Sequence, residues 1–141
     1  MLPLLLFAPL AVAVPPSVPI EILVSGLQPH RGRVMVSMFD SEQAWREGRP
    51  VRSGSVDASA DRVKLSFAAV PSGRYAVRAF YDVDGNGKLN TNPFGIPTEP
   101  VAFSNGAQPS FGPPQWHDAA FDVNAMDNRH EIRFAVQGAR P

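Results

Sequence analysis

Oxygen-bearing side chains recur at regular spacing in Asp82-Val83-Asp84-Gly85-Asn86-Gly87-Lys88-Leu89-Asn90. Counted from Asp82, they take the first, third, fifth and ninth places, and Gly87 stands sixth. That is the spacing of the first three quarters of an EF-hand-type calcium loop. Ca²⁺ takes about six to eight hard oxygen ligands. Alternate residues of a tight loop can point inward, a Gly permits the sharp turn, and a backbone carbonyl, here that of Lys88, continues the ring. The twelfth place is Pro93, where an EF-hand carries a bidentate Glu, and the flanks read as strand and loop rather than helices. The expectation is therefore a strand-borne calcium loop, not an EF-hand. Its ligands would be Asp82, Asp84, Asn86, the Lys88 carbonyl and Asn90, with Glu99 supplying the missing carboxylate from further along. Affinity would fall near the ~10⁻⁴–10⁻³ M of extracellular modules. The same residues also suit a metal-free double turn, because Asp84-Gly85 and Asn86-Gly87 tolerate positive φ.

Other chemistry has less to stand on. His30, His117 and His130 fall in different elements, and none has the close His partner of a zinc motif. There is no Cys, no G-x-S-x-G elbow and no Ser-x-x-Lys. A glycosidase needs two facing carboxylates, whereas Asp82, Asp84 and Glu99 suit a cation better. The chain reads as non-enzymatic. Trp45 and Trp116 fit either the core of a sandwich or a sugar-stacking platform. The alternative function is a carbohydrate- or small-ligand-binding module using the 92–116 loop, with Trp116, Phe103 and Glu99 as contacts.

The elements that position these residues show period-two alternation in short runs broken by Gly, Pro, Asn or Asp. Strands are expected at Ile20–Val24, Gly32–Phe39, Val51–Ala58 (polar, at an edge) and Arg62–Ala69, with Val63, Leu65, Phe67 and Ala69 inward. Arg74–Asp82 follows, with Tyr75, Val77, Ala79 and Tyr81 on one face. His117–Val123 and Arg129–Val136 close the chain as a hairpin turning at Asp127-Asn128, with Ile132, Phe134 and Val136 inward. Asp40 or Ser41 caps a single helical turn that Gly48 and Pro50 end. Residues 92–116 form a loop with six prolines, whose apolar side chains predict that it packs back on the domain. Val101-Ala102-Phe103 is a candidate short edge strand. The fold class is all-β: an antiparallel sandwich of about seven strands with one long Pro-rich loop.

Composition sets the outer bounds. Lys and Arg number 13 against 13 Asp and Glu, and this zero balance argues against a nucleic-acid partner. The 15 prolines fall throughout and exclude a long helical bundle, and 44% hydrophobic residues argue against disorder. Leu4–Val14 is too short to span a bilayer, which takes about 20 apolar residues. It matches the apolar stretch of a secretory signal, with Ala11-Val12-Ala13 as the cleavage site. Residues 1–13 are read as signal peptide and 14–141 as one domain. That domain would be secreted or periplasmic, not membrane-embedded after cleavage, and would meet an envelope or extracellular partner of unknown identity.

Four motifs together resemble a known family: Val70-Pro71-Ser72-Gly73-Arg74-Tyr75-Ala76-Val77, Tyr81–Leu89, Phe94-Gly95-Ile96-Pro97-Thr98-Glu99-Pro100 and Phe103-Ser104-Asn105. They are similar to the bacterial secreted family known as domain of unknown function 2141. Pro114–Phe121 resembles its last motif, with Trp116 where Phe is usual. The resemblance implies a signal peptide and a transthyretin-like or immunoglobulin-like sandwich. It implies no catalytic residues. Members tend to carry Asp where Asn90 stands here, which lowers the expected metal affinity.

Overall fold

The computed structural model describes residues 2–10 and 16–134. Residues 2–10 have no regular secondary structure, and Leu2, Leu4, Leu6 and Phe7 are open to solvent. The expected cleavage site at Ala11–Ala13 and the expected inward Val136 lie outside the described residues. No helix among the described residues is long and apolar enough to cross a membrane.

Two sheets pack face to face. One has the order β4 (Arg62–Pro71), β1 (Ser17–Ser25), β8 (Arg129–Arg133). The other runs β3 (Arg52–Asp57), β2 (Arg33–Phe39), β5 (Gly73–Asp82), β6 (Val101–Phe103), with β7 (Phe121–Val123) also on β5. The outer edge of β5 is thus shared: Gly73–Tyr75 pair with β7 and Arg78–Phe80 with β6. Alternate residues Ile20, Ile22, Val24, Val34, Val36, Met38, Val77 and Ala79 point between the sheets and form the main core. Each is removed almost wholly from water.

The all-β sandwich is as expected, and β3 and Val101–Phe103 take the edge positions foreseen for them. Four details differ. First, the pairing is not wholly antiparallel, because β8 runs parallel to β1. Second, the last two strands are no hairpin. Asn124 Oδ1 accepts from the N–H groups of Met126 and Asp127, both at 2.9 Å, and the turn carries the chain from the second sheet to the first. Third, Ala69 faces solvent and Val70 takes the core position. Two residues of β4, Ala68 and Ala69, oppose Pro19 alone, a bulge that shifts the alternation by one; Ala69 has φ 52°. Fourth, the first half of the expected His117–Val123 strand is a helical turn, α2 (Trp116–Ala119). Trp116 and Ala119 are three apart and both pack inward, which a helix achieves and a strand does not.

The outer face of the second sheet carries a smaller core of Phe39, Trp45, Ala76, Phe103 and Ala119. The helix α1 (Glu42–Glu47) lies over it, with the Ser41 hydroxyl accepting from Ala44 N–H at 3.1 Å and Gly48 closing its end at φ 67°. Part of the Pro-rich loop packs here, as expected, through Val101, Phe103 and Trp116, whereas Phe94, Ile96 and Phe111 stay exposed.

Buried Ser104 ties this layer to the sheet. Its hydroxyl accepts from Val77 N–H at 2.9 Å and donates to the Ala119 carbonyl at 2.6 Å. Ser104→Ala leaves the Val77 N–H without a partner inside the protein, and chemical unfolding should show a loss of about 1–3 kcal/mol.

His130 stacks on Phe121 with ring centroids 3.6 Å apart. Burial pushes its pKa below the ordinary imidazole value, outweighing Asp127 and a backbone hydrogen bond, which act the other way. The unfolded chain therefore binds this proton at a higher pH than the folded one. Stability should fall as pH drops through the ordinary His value near 6.5, and level off below the folded value. Thermal melts between pH 8 and pH 5.5 check this, because His130→Gln should flatten that part of the profile.

Candidate metal centre

Strand β5 ends at Asp82, whose side chain is 0% exposed. Asp82 Oδ2 accepts from Gly87 N–H at 2.8 Å, which folds the loop back over the strand end. Asp84 Oδ1 accepts from Asn86 N–H at 3.2 Å and its Oδ2 from the Asn90 amide at 2.7 Å. Asn86 Oδ1 accepts from Lys88 N–H at 2.9 Å, and the Asn86 amide donates to Asn90 Oδ1 at 2.7 Å. Both Gly85 and Gly87 hold positive φ, as the turn requires.

Glu99 arrives from a separate segment. The chain after Asn90 doubles back on itself: Thr98 N–H and its hydroxyl both donate to the Asn90 carbonyl, at 2.9 and 3.1 Å, and Thr91 bridges Pro97. This returns Glu99 to the loop, where its Oε2 accepts from Asn90 N–H at 3.1 Å. Glu99 is 9% exposed.

Carboxylate oxygens of Asp82, Asp84 and Glu99 consequently lie within 4.8 Å of one another. Two of the oxygens are buried without any hydrogen-bond partner, Asp82 Oδ1 and Glu99 Oε1. A buried unpaired carboxylate oxygen is costly, and here two of them stand beside a third carboxylate. The Asp84 carboxyl is held below its ordinary pKa, chiefly by the Asn86 N–H and then by the Asn90 amide, with desolvation opposing.

All six sequence candidates belong to this one loop system. Asp82, Asp84 and Glu99 converge through their side chains, Asn86 and Asn90 are hydrogen-bonded to the cluster, and Lys88 joins through its backbone N–H. Thr98 was not a candidate, although it clasps the two segments together. Its only sequence signal is that it stands next to Glu99.

Of the contacts suggested for a ligand-binding 92–116 loop, Glu99 lies apart from Phe103 and Trp116, whereas the two residues suggested for a sugar platform, Trp45 and Trp116, do meet. Glu99 belongs to the carboxylate cluster, and Phe103 is buried in the smaller core. Trp116 is half-buried against Trp45 with ring centroids 6.5 Å apart.

Comparison with curated proteins and with solved structures finds no match. A family comparison matches residues 22–131, which include the second half of β1, all of β2 to β7 and the entire carboxylate loop. The chain therefore belongs to the bacterial family described as "Uncharacterized protein conserved in bacteria (DUF2141)".

Proposed function

We propose that the protein is a non-enzymatic β-sandwich module of the bacterial envelope whose 82–99 loop is stapled by Ca²⁺. The pair of buried, unpartnered oxygens on Asp82 and Glu99 carries this reading. A plain turn would need neither carboxylate out of water. The donor set is entirely oxygen, drawn from Asp82, Asp84, Asn86, the Lys88 carbonyl, Asn90 and Glu99. Oxygen-only donors without His or Cys favour a hard cation over zinc or copper. A set of up to six protein oxygens favours Ca²⁺ over Mg²⁺, which demands near-ideal octahedral geometry and keeps more of its waters.

The ion would join the end of β5 to the Thr98-Glu99-Pro100 segment that leads into β6. Its role would then be to hold the Pro-rich loop on the sandwich, and the module's role would be binding or structural support at the envelope. The leader supports secretion, since residues 2–10 are apolar, exposed and outside both cores. Cleavage after Ala13 would release a protein beginning at Val14, which mass spectrometry of periplasmic protein can read.

Calorimetric titration tests the metal. A single calcium-binding step with a weaker magnesium response is the expected outcome. No binding heat together with an unchanged melting temperature in millimolar calcium would overturn the reading.

A further inference from the structure

A cleft of about 380 Å³ opens on the outer face of the second sheet, away from the carboxylate loop. That volume lies in the ~300–1,000 Å³ range of small-molecule sites. Trp45, Trp116, Pro114, Gln115, Glu42 and Arg46 line it.

Its aromatic wall is rigid. Trp45 packs edge-on against Phe39 at 5.2 Å and Phe103 at 6.1 Å. The Trp45 indole N–H donates to the Pro114 carbonyl at 2.8 Å, which pins the strand of loop leading to α2. Trp116 packs on Trp45 at an interplanar angle of 64° and keeps part of its ring open. The rim is polar and electrically balanced: Arg46 donates to Glu42 Oε1 at 2.9 Å across one turn of α1. That pair leaves a second carboxylate oxygen and most of the guanidinium N–H groups free to bind something else. The exposed Gln115 adds an amide.

These features select among ligand classes. Charge balance at the rim gives no purchase to a phosphate or a polyanion. A proline-rich peptide would dock along an aromatic wall; here the chain's own Pro114 already takes the Trp45 indole N–H, which leaves Trp116 alone to present an open ring. An uncharged sugar matches both surfaces: its C–H face can lie on the open part of Trp116, and its hydroxyls can both donate and accept at the rim. We infer that this cleft binds a neutral oligosaccharide, stacked on Trp116 and hydrogen-bonded by Glu42, Arg46 and Gln115. The site is independent of the calcium loop.

Both tryptophans of the chain line the cleft, so intrinsic fluorescence reports directly on its occupancy. The probes are tetrasaccharides of β-1,4-linked N-acetylglucosamine and of β-1,4-linked glucose, with a polyproline peptide and inorganic phosphate alongside. A saturable emission change with at least one tetrasaccharide is expected, at a Kd on the order of 1 mM or tighter. Trp116→Ala should weaken it about tenfold or more, with Trp45 as the remaining reporter. Glu42→Gln and Arg46→Ala alter exposed side chains whose ion pair contributes less than about 1 kcal/mol, and each should weaken binding several-fold with the melting temperature lowered by no more than a few degrees. Response to the peptide or phosphate alone, no response to either sugar, or sugar binding unaffected by all three substitutions would each overturn the inference.

Discussion

Asp82→Asn should abolish the calcium response of thermal unfolding while leaving the metal-free protein at least as stable as the parent. The two halves of that result have different causes. In metal-free protein the buried Asp82 is one of three carboxylates with oxygens within 4.8 Å, and its Oδ1 has no partner. Like charges so placed disfavour one another, and a neutral isostere removes one of them. The Asn carbonyl can still accept from Gly87 N–H, so the loop keeps its main tie to the strand end. With calcium present the order reverses. An ion bound only by the folded state stabilises it by RT ln(1 + [Ca²⁺]/Kd), about 0.4–1.4 kcal/mol in 1 mM calcium at a Kd of ~10⁻³–10⁻⁴ M. In a domain of this size that raises the melting temperature by about 2–6 °C. Scanning calorimetry of both proteins, in chelator and in millimolar calcium, reads the crossing directly. An undiminished calcium shift in Asp82→Asn would place the ion elsewhere.

Gly32→Ala should be among the most destabilising single substitutions, and it should also disturb the carboxylate loop. Gly32 precedes β2 with φ +71°. A Cβ there would sit 2.9 Å from Val83 Cα and closer still to the Asp82 carbonyl oxygen. Those neighbours are backbone and cannot swing aside. The left-handed conformation costs an L-residue about 1–2 kcal/mol, and displacing packed backbone adds about 1–3 kcal/mol. The sum, about 3 kcal/mol, is a large share of a typical 5–15 kcal/mol stability. Gly106→Ala is the control. Its φ is +63°, but nothing lies within 4 Å of the added carbon, so only the conformational cost of about 1 kcal/mol remains. Urea unfolding separates the two terms. Calcium affinity should weaken in Gly32→Ala and hold in Gly106→Ala, because only the former pushes on Asp82.

Nothing in the sequence around Gly32 marks that role. Its neighbour across space is Asp82, which is adjacent only because β2 and β5 pair with Arg33 opposite Asp82. Glu99 poses the same problem in milder form. Its type and nearness to the loop made it a candidate, but its burial depends on the Thr98–Asn90 clasp.

What the sequence by itself determined is local. Period-two alternation marked the principal strands, because burial on one face of a sheet repeats every second residue. Ser41 and Gly48 marked the ends of α1, because capping needs a side-chain oxygen at one end and a positive φ at the other. The calcium-type spacing from Asp82 to Asn90 was legible because loop ligands come from one short segment. Tertiary structure decided everything that depends on which segments meet. It set β8 parallel to β1, sent β7 to the other sheet and inverted the phase of β4 at its bulge. It also separated Glu99 from Phe103 and Trp116, which share the smaller core, and brought Trp45 and Trp116 together in a cleft between α1 and the loop before α2. The physical reason is that alternation records how often a side chain is buried, while pairing depends on the energy of contacts between distant segments. No local pattern carries that energy.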